Sequence, residues 1–446
     1  MSTATDIPLV KSRLSIMMFL QYAIWGAWLP LLWPYLSGHL GFENDQIATM
    51  FAVGAVGAIV GPFFAGQIAD RLMNSERFLG ISHILGAILV FQLSWLESYS
   101  GFLIFSLLYS LIYSPTLAVT NSLSFHHLQD RDKQFGLVRV WGTVGWIVVG
   151  IAIGQWILRM ATPTGVPEAE VQAAQNAAMS SAFVLSGILG LVLGFYCFTL
   201  PKTPPTKGTR EFATWEAIKE VRMAPLVTLF MIAVPISCIH QFYFVHTSGF
   251  IGEFQRQSDS DSIAGFFNNI FGVGGGGMMT IGQLAEILVL ALIPVFAKTI
   301  SRKTFLLIGC AAYFARMLLF VLAADMGLDQ GAGPLALLVT GIGLHGLCFG
   351  CFIFVAFMIV DEEATTDVRA SAQNLFNLVI IGIGIIVGSY LASGVATYAT
   401  EGDQIDFVEL FTIPMYAAAA CFFLLLLFYP NRSEVESMRA MSQSGE

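Results

Sequence analysis

Two polar side chains stand one helical turn apart in an otherwise apolar run, Thr280-Ile-Gly-Gln283-Leu-Ala-Glu286-Ile-Leu-Val-Leu-Ala-Leu-Ile-Pro294. Residues three apart share a helix face, so an amide and a carboxylate are presented together. Such a pair can hold the hydroxyls of a polar solute, and the acid can take up and release a proton. A carboxylate at bilayer depth is costly and is tolerated where it meets a water-filled cavity, a partner charge or a substrate. The plainer alternative is a buried structural acid paired to a neighbouring helix. A second group is Arg139, Thr143 and Trp146, whose spacing of four and three puts a cation, a hydroxyl and an indole on one face. That face suits a polar, ring-bearing solute; the alternative is that Arg139 only snorkels to the cytoplasmic surface. A third stretch, Ile239-His240-Gln241-Phe-Tyr243-Phe244-Val-His246-Thr247, is polar and aromatic, and Gln241 has two donors and an acceptor to present. Arg316 and His345 lie in two further apolar runs, where either can pair with a buried acid or sit at an interface.

Enzyme chemistry finds little footing. No HExxH, GxSxG, Walker A or spaced metal-ligand cluster occurs. His126 and His127 are adjacent and so point to different sides of a helix. Cys348 and Cys351 have CxxC spacing, but all six cysteines fall in apolar runs, where packing is the expected role. No cofactor, metal site or disulfide is expected, and without a basic patch there is no nucleic-acid partner.

The elements that must position these residues are membrane spans. Charged residues make up 11% of the 446-residue chain and hydrophobic residues 56%, against about 25% charge in a soluble protein. A span needs about 20 mostly apolar residues. Twelve such segments are expected at 14–37, 46–69, 78–97, 101–126, 137–159, 177–200, 226–250, 276–297, 304–324, 334–360, 369–397 and 407–429. The stretch 262–277 before the eighth reads as a loop or a glycine-weakened extension. With the N-terminus inside, seventeen of the 21 Lys and Arg residues fall on the cytoplasmic side, Arg159 and Arg256 outside, and Arg139 and Arg316 within helices. Both termini are therefore expected in the cytoplasm. The basic, proline-rich stretch from Pro201 to Arg210, followed by an amphipathic stretch from Thr214, divides the chain. The expected organisation is a six-helix bundle over 1–200, a cytoplasmic linker over 201–225, and a second six-helix bundle with a short tail over 226–446.

Two six-helix halves on a cytoplasmic linker resemble the major facilitator superfamily. The loop Gly66-Gln-Ile-Ala-Asp70-Arg71 resembles that superfamily's G-x-x-x-D-R signature, which implies a gating latch formed by Gly66, Asp70 and Arg71. Phe19-Leu-Gln-Tyr-Ala-Ile-Trp25-Gly-Ala-Trp28, Tyr113-Ser-Pro-Thr-Leu, Arg139-Val-Trp-Gly-Thr-Val-Gly, Gln283-Leu-Ala-Glu286 and Arg369-Ala-Ser-Ala-Gln look like the bacterial nucleoside:proton symporter family. The similarity runs in order over most of the chain. It implies substrate contacts at Arg139, Thr143, Gln241, Gln283 and Glu286, with Trp146 at an aromatic position and Glu286 as the proton-coupling acid. Two positions depart: Phe244 stands where nucleoside permeases have Asn, and Gly350 where they have Asp. The expected protein is an all-α, multi-pass secondary transporter of the cytoplasmic (inner) membrane, moving a small polar solute with protons by alternating access. A nucleoside is the substrate that the resemblance implies. A sugar or another polar solute, export instead of uptake, a non-transporting receptor and a membrane enzyme are the alternatives.

Overall fold

The computed structural model describes residues 9–71, 73–204, 218, 221–222, 224–258, 262–327, 332–365, 368–402, 404–431 and 434, with only the backbone at 61–71, 131–133 and 370. Among the described residues, regular structure is helical apart from a small antiparallel pair, Thr400–Glu401 with Gln404–Ile405. Among the described residues, eleven helices are long and apolar enough to cross a membrane. A further helix, Asn44–Arg71, has 28 residues, of which Asn44–Val60 carries the described apolar side chains. The side chains of Gly66, Asp70 and Arg71 lie outside the described residues. So does most of the linker, including the amphipathic stretch beginning at Thr214.

By contacts the chain divides into two compact units, Met1–Thr209 with Phe267–Thr280, and Arg210–Phe266 with Ile281–Glu446. The first contains α1 (Val10–Trp28), α2 (Leu32–Gly38), α3 (Asn44–Arg71), α4 (Ser75–Leu93), α5 (Tyr99–His127), α6 (Arg131–Trp156), α7 (Glu168–Ala178) and α8 (Ser181–Cys197). Helix α1 passes into α2 through a tight turn at Leu29–Leu31, where Pro30 removes a backbone donor. Glycines let α1 and α6 approach closely, the usual device where lipid supplies no hydrophobic drive between helices. A Cβ on Gly142 would come within 2.6 Å of the Tyr22 ring, and one on Gly26 within 2.8 Å of the Trp146 ring. Gly145 rests against the carbonyl of Phe19, where no side chain fits. At one end, the buried Glu76 carboxylate accepts from the Thr203 backbone N–H at 2.8 Å and from the Asn74 amide at 2.9 Å, pinning the start of the linker.

The second unit contains α9 (Leu226–Arg256), most of α11 (Gly276–Phe296), α12 (Arg302–Asp325), α13 (Ala332–Gly343), α14 (Val355–Glu363), α15 (Arg369–Asn377), α16 (Gly384–Tyr398) and α17 (Phe407–Phe428). Between α9 and α11 lies the short α10 (Ile263–Phe271). The ambiguous stretch before the eighth expected span is thus a helix followed by a glycine turn. Gly272, Gly274 and Gly275 have φ of +75°, +85° and +82°, which residues with a Cβ rarely adopt. This turn is itself part of the first unit: Val273 N–H donates to Gly154 O at 3.1 Å, and the Gln155 amide to Asn269 O at 2.8 Å. Between α13 and α14 the chain makes a short helical turn, His345–Leu347, and then a π-helical stretch, Cys348–Phe354. A second π stretch, Leu378–Ile383, joins α15 to α16. π segments inside membrane helices frequently mark functional positions.

Candidate functional site

In the second unit, three helices each present a pair of polar residues three apart: His240 and Tyr243 on α9, Gln283 and Glu286 on α11, Tyr313 and Arg316 on α12. The turn after α13 adds His345. Arg316 is fully buried, and a buried charge is costly unless compensated. Its guanidinium carbon lies 4.4 Å from the Tyr243 ring centroid and 5.1 Å from that of Tyr313, both within cation–π range. Its Nη1 donates to His345 Nδ1 at 3.3 Å. On the other side of the imidazole, Nε2 stands 3.6 Å from Glu286 Oε2. The His345 ring stacks on Tyr243 at 4.8 Å and on His240 at 5.4 Å, and the Tyr313 hydroxyl is 2.8 Å from His240 Nδ1. Arg316 and Glu286 are therefore the two ends of a polar line that runs through His345.

Glycines make this line possible. A Cβ on Gly346 would lie 2.5 Å from the carbonyl of Ala285, and one on Gly282 would lie 2.9 Å from His345 Cβ. The backbone carrying His345 thus presses directly on the turn of α11 that carries Glu286. Gly350 continues the same packing, because a Cβ there would lie 2.7 Å from Val289 Cγ1. An aspartate in place of Gly350 would press on the side chains of Val289 and Ile293. Phe244 is edge-on to His240 at 5.2 Å and to His345 at 6.0 Å, so it forms an apolar wall of the cluster.

The remaining candidates of this unit divide. Gln283 is buried and its Oε1 has no hydrogen-bond partner among the described residues, leaving an acceptor to present. Gln241 is buried against α16: its amide donates to Ser389 Oγ at 3.1 Å, and Gly388 admits its Cβ closely. His246, on the same polar stretch, is buried, with Nε2 3.0 Å from Ala392 O.

In the first unit, the expected face of α6 meets the rings of α1. The Arg139 guanidinium lies 4.0 Å from the Tyr22 ring centroid. Trp146 packs edge-on against Trp25 at 5.6 Å, and Trp25 against Tyr113 at 6.4 Å. Thr143 is half-buried between them in sequence. Behind this aromatic face is a polar network that sequence reasoning did not assemble. Gln21, fully buried, donates to Thr116 Oγ1 at 2.8 Å and accepts from Thr120 at 3.2 Å. Its Oε1 is 2.8 Å from His83 Nε2, and its backbone carbonyl accepts from Tyr113 OH at 2.6 Å. The available signal was a glutamine, a histidine and two threonines in three separate apolar runs.

Helices of this length and composition, with buried charge on facing helices, define a multi-pass membrane protein. The model of a family described as Nucleoside H+ symporter matches residues 9–434, and the chain belongs to that family. It is 30% identical over 392 residues to a putative nucleoside transporter, YegT, of Escherichia coli K12, covering 86% of this chain and 84% of that one. It is 27% identical to the xanthosine permease of the same organism, covering 94% and 95%. Among solved structures, the D323A mutant of the nucleoside transporter NupG superposes with a TM-score of 0.79 at 22% identity, covering 94% of this chain and all of that one. The fold is accordingly that of the nucleoside:proton symporters.

Proposed function

We propose that this protein takes up nucleosides across the cytoplasmic membrane with protons, by alternating access. The observation that carries the reading is Glu286, an acid on a membrane helix, set against His345 and, through it, the buried Arg316. Family membership supplies the substrate class and the coupling ion. In this reading Glu286 binds the proton and, with Gln283 and Gln241, holds ribose hydroxyls. Arg139 and Thr143 contact the substrate from α6, and Trp146 offers its ring to the base. Gly66, Asp70 and Arg71 form the gating latch. Both termini and the linker over 201–225 lie in the cytoplasm, between six-helix bundles over 1–200 and 226–446.

Purified protein in proteoliposomes tests this with a panel of labelled nucleosides, nucleobases and sugars. Accumulation of nucleosides under an inward proton gradient, abolished by a protonophore, is the expected result. Accumulation of a sugar or nucleobase in preference to every nucleoside would overturn the substrate assignment. Uptake indifferent to the protonophore would overturn the coupling.

A further inference from the structure

Arginine has donors and no acceptor. The 3.3 Å contact between Arg316 Nη1 and His345 Nδ1 therefore requires Nδ1 to be a lone-pair acceptor, so the ring hydrogen of His345 sits on Nε2, facing Glu286. An imidazolium would turn an N–H against a guanidinium N–H inside a buried site. We propose that Arg316 and His345 are positioning residues for the proton site: Arg316 locks His345 as the neutral Nε2–H tautomer, so the cycling proton is carried by Glu286 and not by the histidine.

The groups that face His345 from every side fit this role. Arg316 comes from α12, Glu286 from α11, His240, Tyr243 and the apolar ring of Phe244 from α9, and Phe349 from the π-helical stretch that follows. Only Glu286 among them bears negative charge at neutral pH, and only Arg316 is permanently positive. With Glu286 ionised, His345 neutral and Arg316 charged, the cluster is balanced. A proton arriving from water then adds to a Glu286 carboxylate oxygen, and on release the same O–H bond breaks and the proton returns to water; no bond of His345 changes. The tyrosine faces around Arg316 hold its charge during the protonated phase, when its counter-charge is absent. The arrangement also gives the lone histidine of this turn a task distinct from that of an ordinary pH-switching imidazole.

Removing the lock should create a histidine titration that the native protein lacks. In Arg316→Gln, His345 Nδ1 is free to take a proton and to replace the missing positive charge opposite Glu286. Because that charge is titratable, exchange by Arg316→Gln should fall as pH rises through the imidazole range, between about pH 5 and 8. The further change His345→Gln in that background should remove the new inflection. His345→Gln alone should accumulate substrate more slowly than the native protein, because the acid loses its positioning partner, but should still accumulate it, since the proton rides on Glu286. The inference rests on the proposed role of Glu286, and the two fail differently. Accumulation that survives Glu286→Gln removes the role of the acid. Accumulation lost in His345→Gln, with counterflow retained, makes His345 the proton carrier and overturns the lock while leaving the transporter reading intact. A pH profile of Arg316→Gln identical to that of the native protein, or an inflection that persists in the double variant, also overturns it. Should Arg316→Gln not fold, nitrogen NMR of histidine-labelled native protein decides, with His345→Gln assigning the signal. The Nε2–H tautomer throughout about pH 5 to 8 is expected, and an imidazolium in that range contradicts the proposal.

Discussion

His345 Nε2 and Glu286 Oε2 are 3.6 Å apart, and they are brought there by the residue that follows the histidine. Gly346 lets its backbone lie on the carbonyl of Ala285, one residue before the acid. A methyl at that position must push the two helices apart. Gly346→Ala should therefore lower stability by about 1–3 kcal/mol, the usual cost of overpacking, and reduce transport. Gly343→Ala, where an added Cβ meets nothing within 4 Å, is the control. Thermal unfolding in detergent compares them; equal midpoints for the two variants would remove the packing account.

The Gln21 network makes a separate claim about the first unit. Gln21→Leu leaves His83 and Thr120 without their shared partner, while Thr116 loses one bond and keeps its donation to the Tyr113 carbonyl. Each buried polar group so stranded costs roughly 1–3 kcal/mol. A marked fall in the thermal midpoint is expected, and the loss should be less than additive with Thr116→Val in a double-mutant cycle. Strict additivity would show that the two side chains do not act together.

The turn between α10 and α11 can be tested through its glycines. Gly272 and Gly165 share a φ of +75°, but a Cβ on Gly165 meets nothing within 4 Å whereas one on Gly272 collides with the Gly154 backbone. Alanine at either position carries the same backbone strain, so the difference between the variants isolates packing. Gly272→Ala should lose stability or transport well beyond Gly165→Ala. Equal effects would leave the backbone contact with α6 without consequence.

Charge placement carries the expected topology. A single cysteine at Lys207 in a cysteine-free background should resist an impermeant thiol reagent added to intact cells, and react after permeabilisation. A cysteine at Glu168 should react in intact cells. Labelling of position 207 from outside would contradict a cytoplasmic linker.

Much of this was legible because side chains repeat with the helix. Gln283 with Glu286, and Arg139 with Trp146, declare shared faces by spacing alone, and those faces do meet other polar or aromatic groups. The partner of Glu286 was not legible. Arg316 and His345 were both visible as polar residues in apolar runs, but helix rotation and depth decide that the histidine meets the acid and the arginine meets the histidine. The direction of Gln241 was hidden for a similar reason, since Gly388, far along the chain, creates the space that turns it toward Ser389. The glycine turn at Gly272 was ambiguous because glycine weakens a helix and also permits left-handed backbone.

The central claim is that Glu286 carries the coupled proton. Glu286→Gln keeps the shape of the side chain and its hydrogen bonding but cannot ionise. Proteoliposomes containing it should show no accumulation of nucleoside under an inward proton gradient while retaining counterflow exchange of the same nucleoside. Accumulation against a gradient with the native pH dependence would contradict the account.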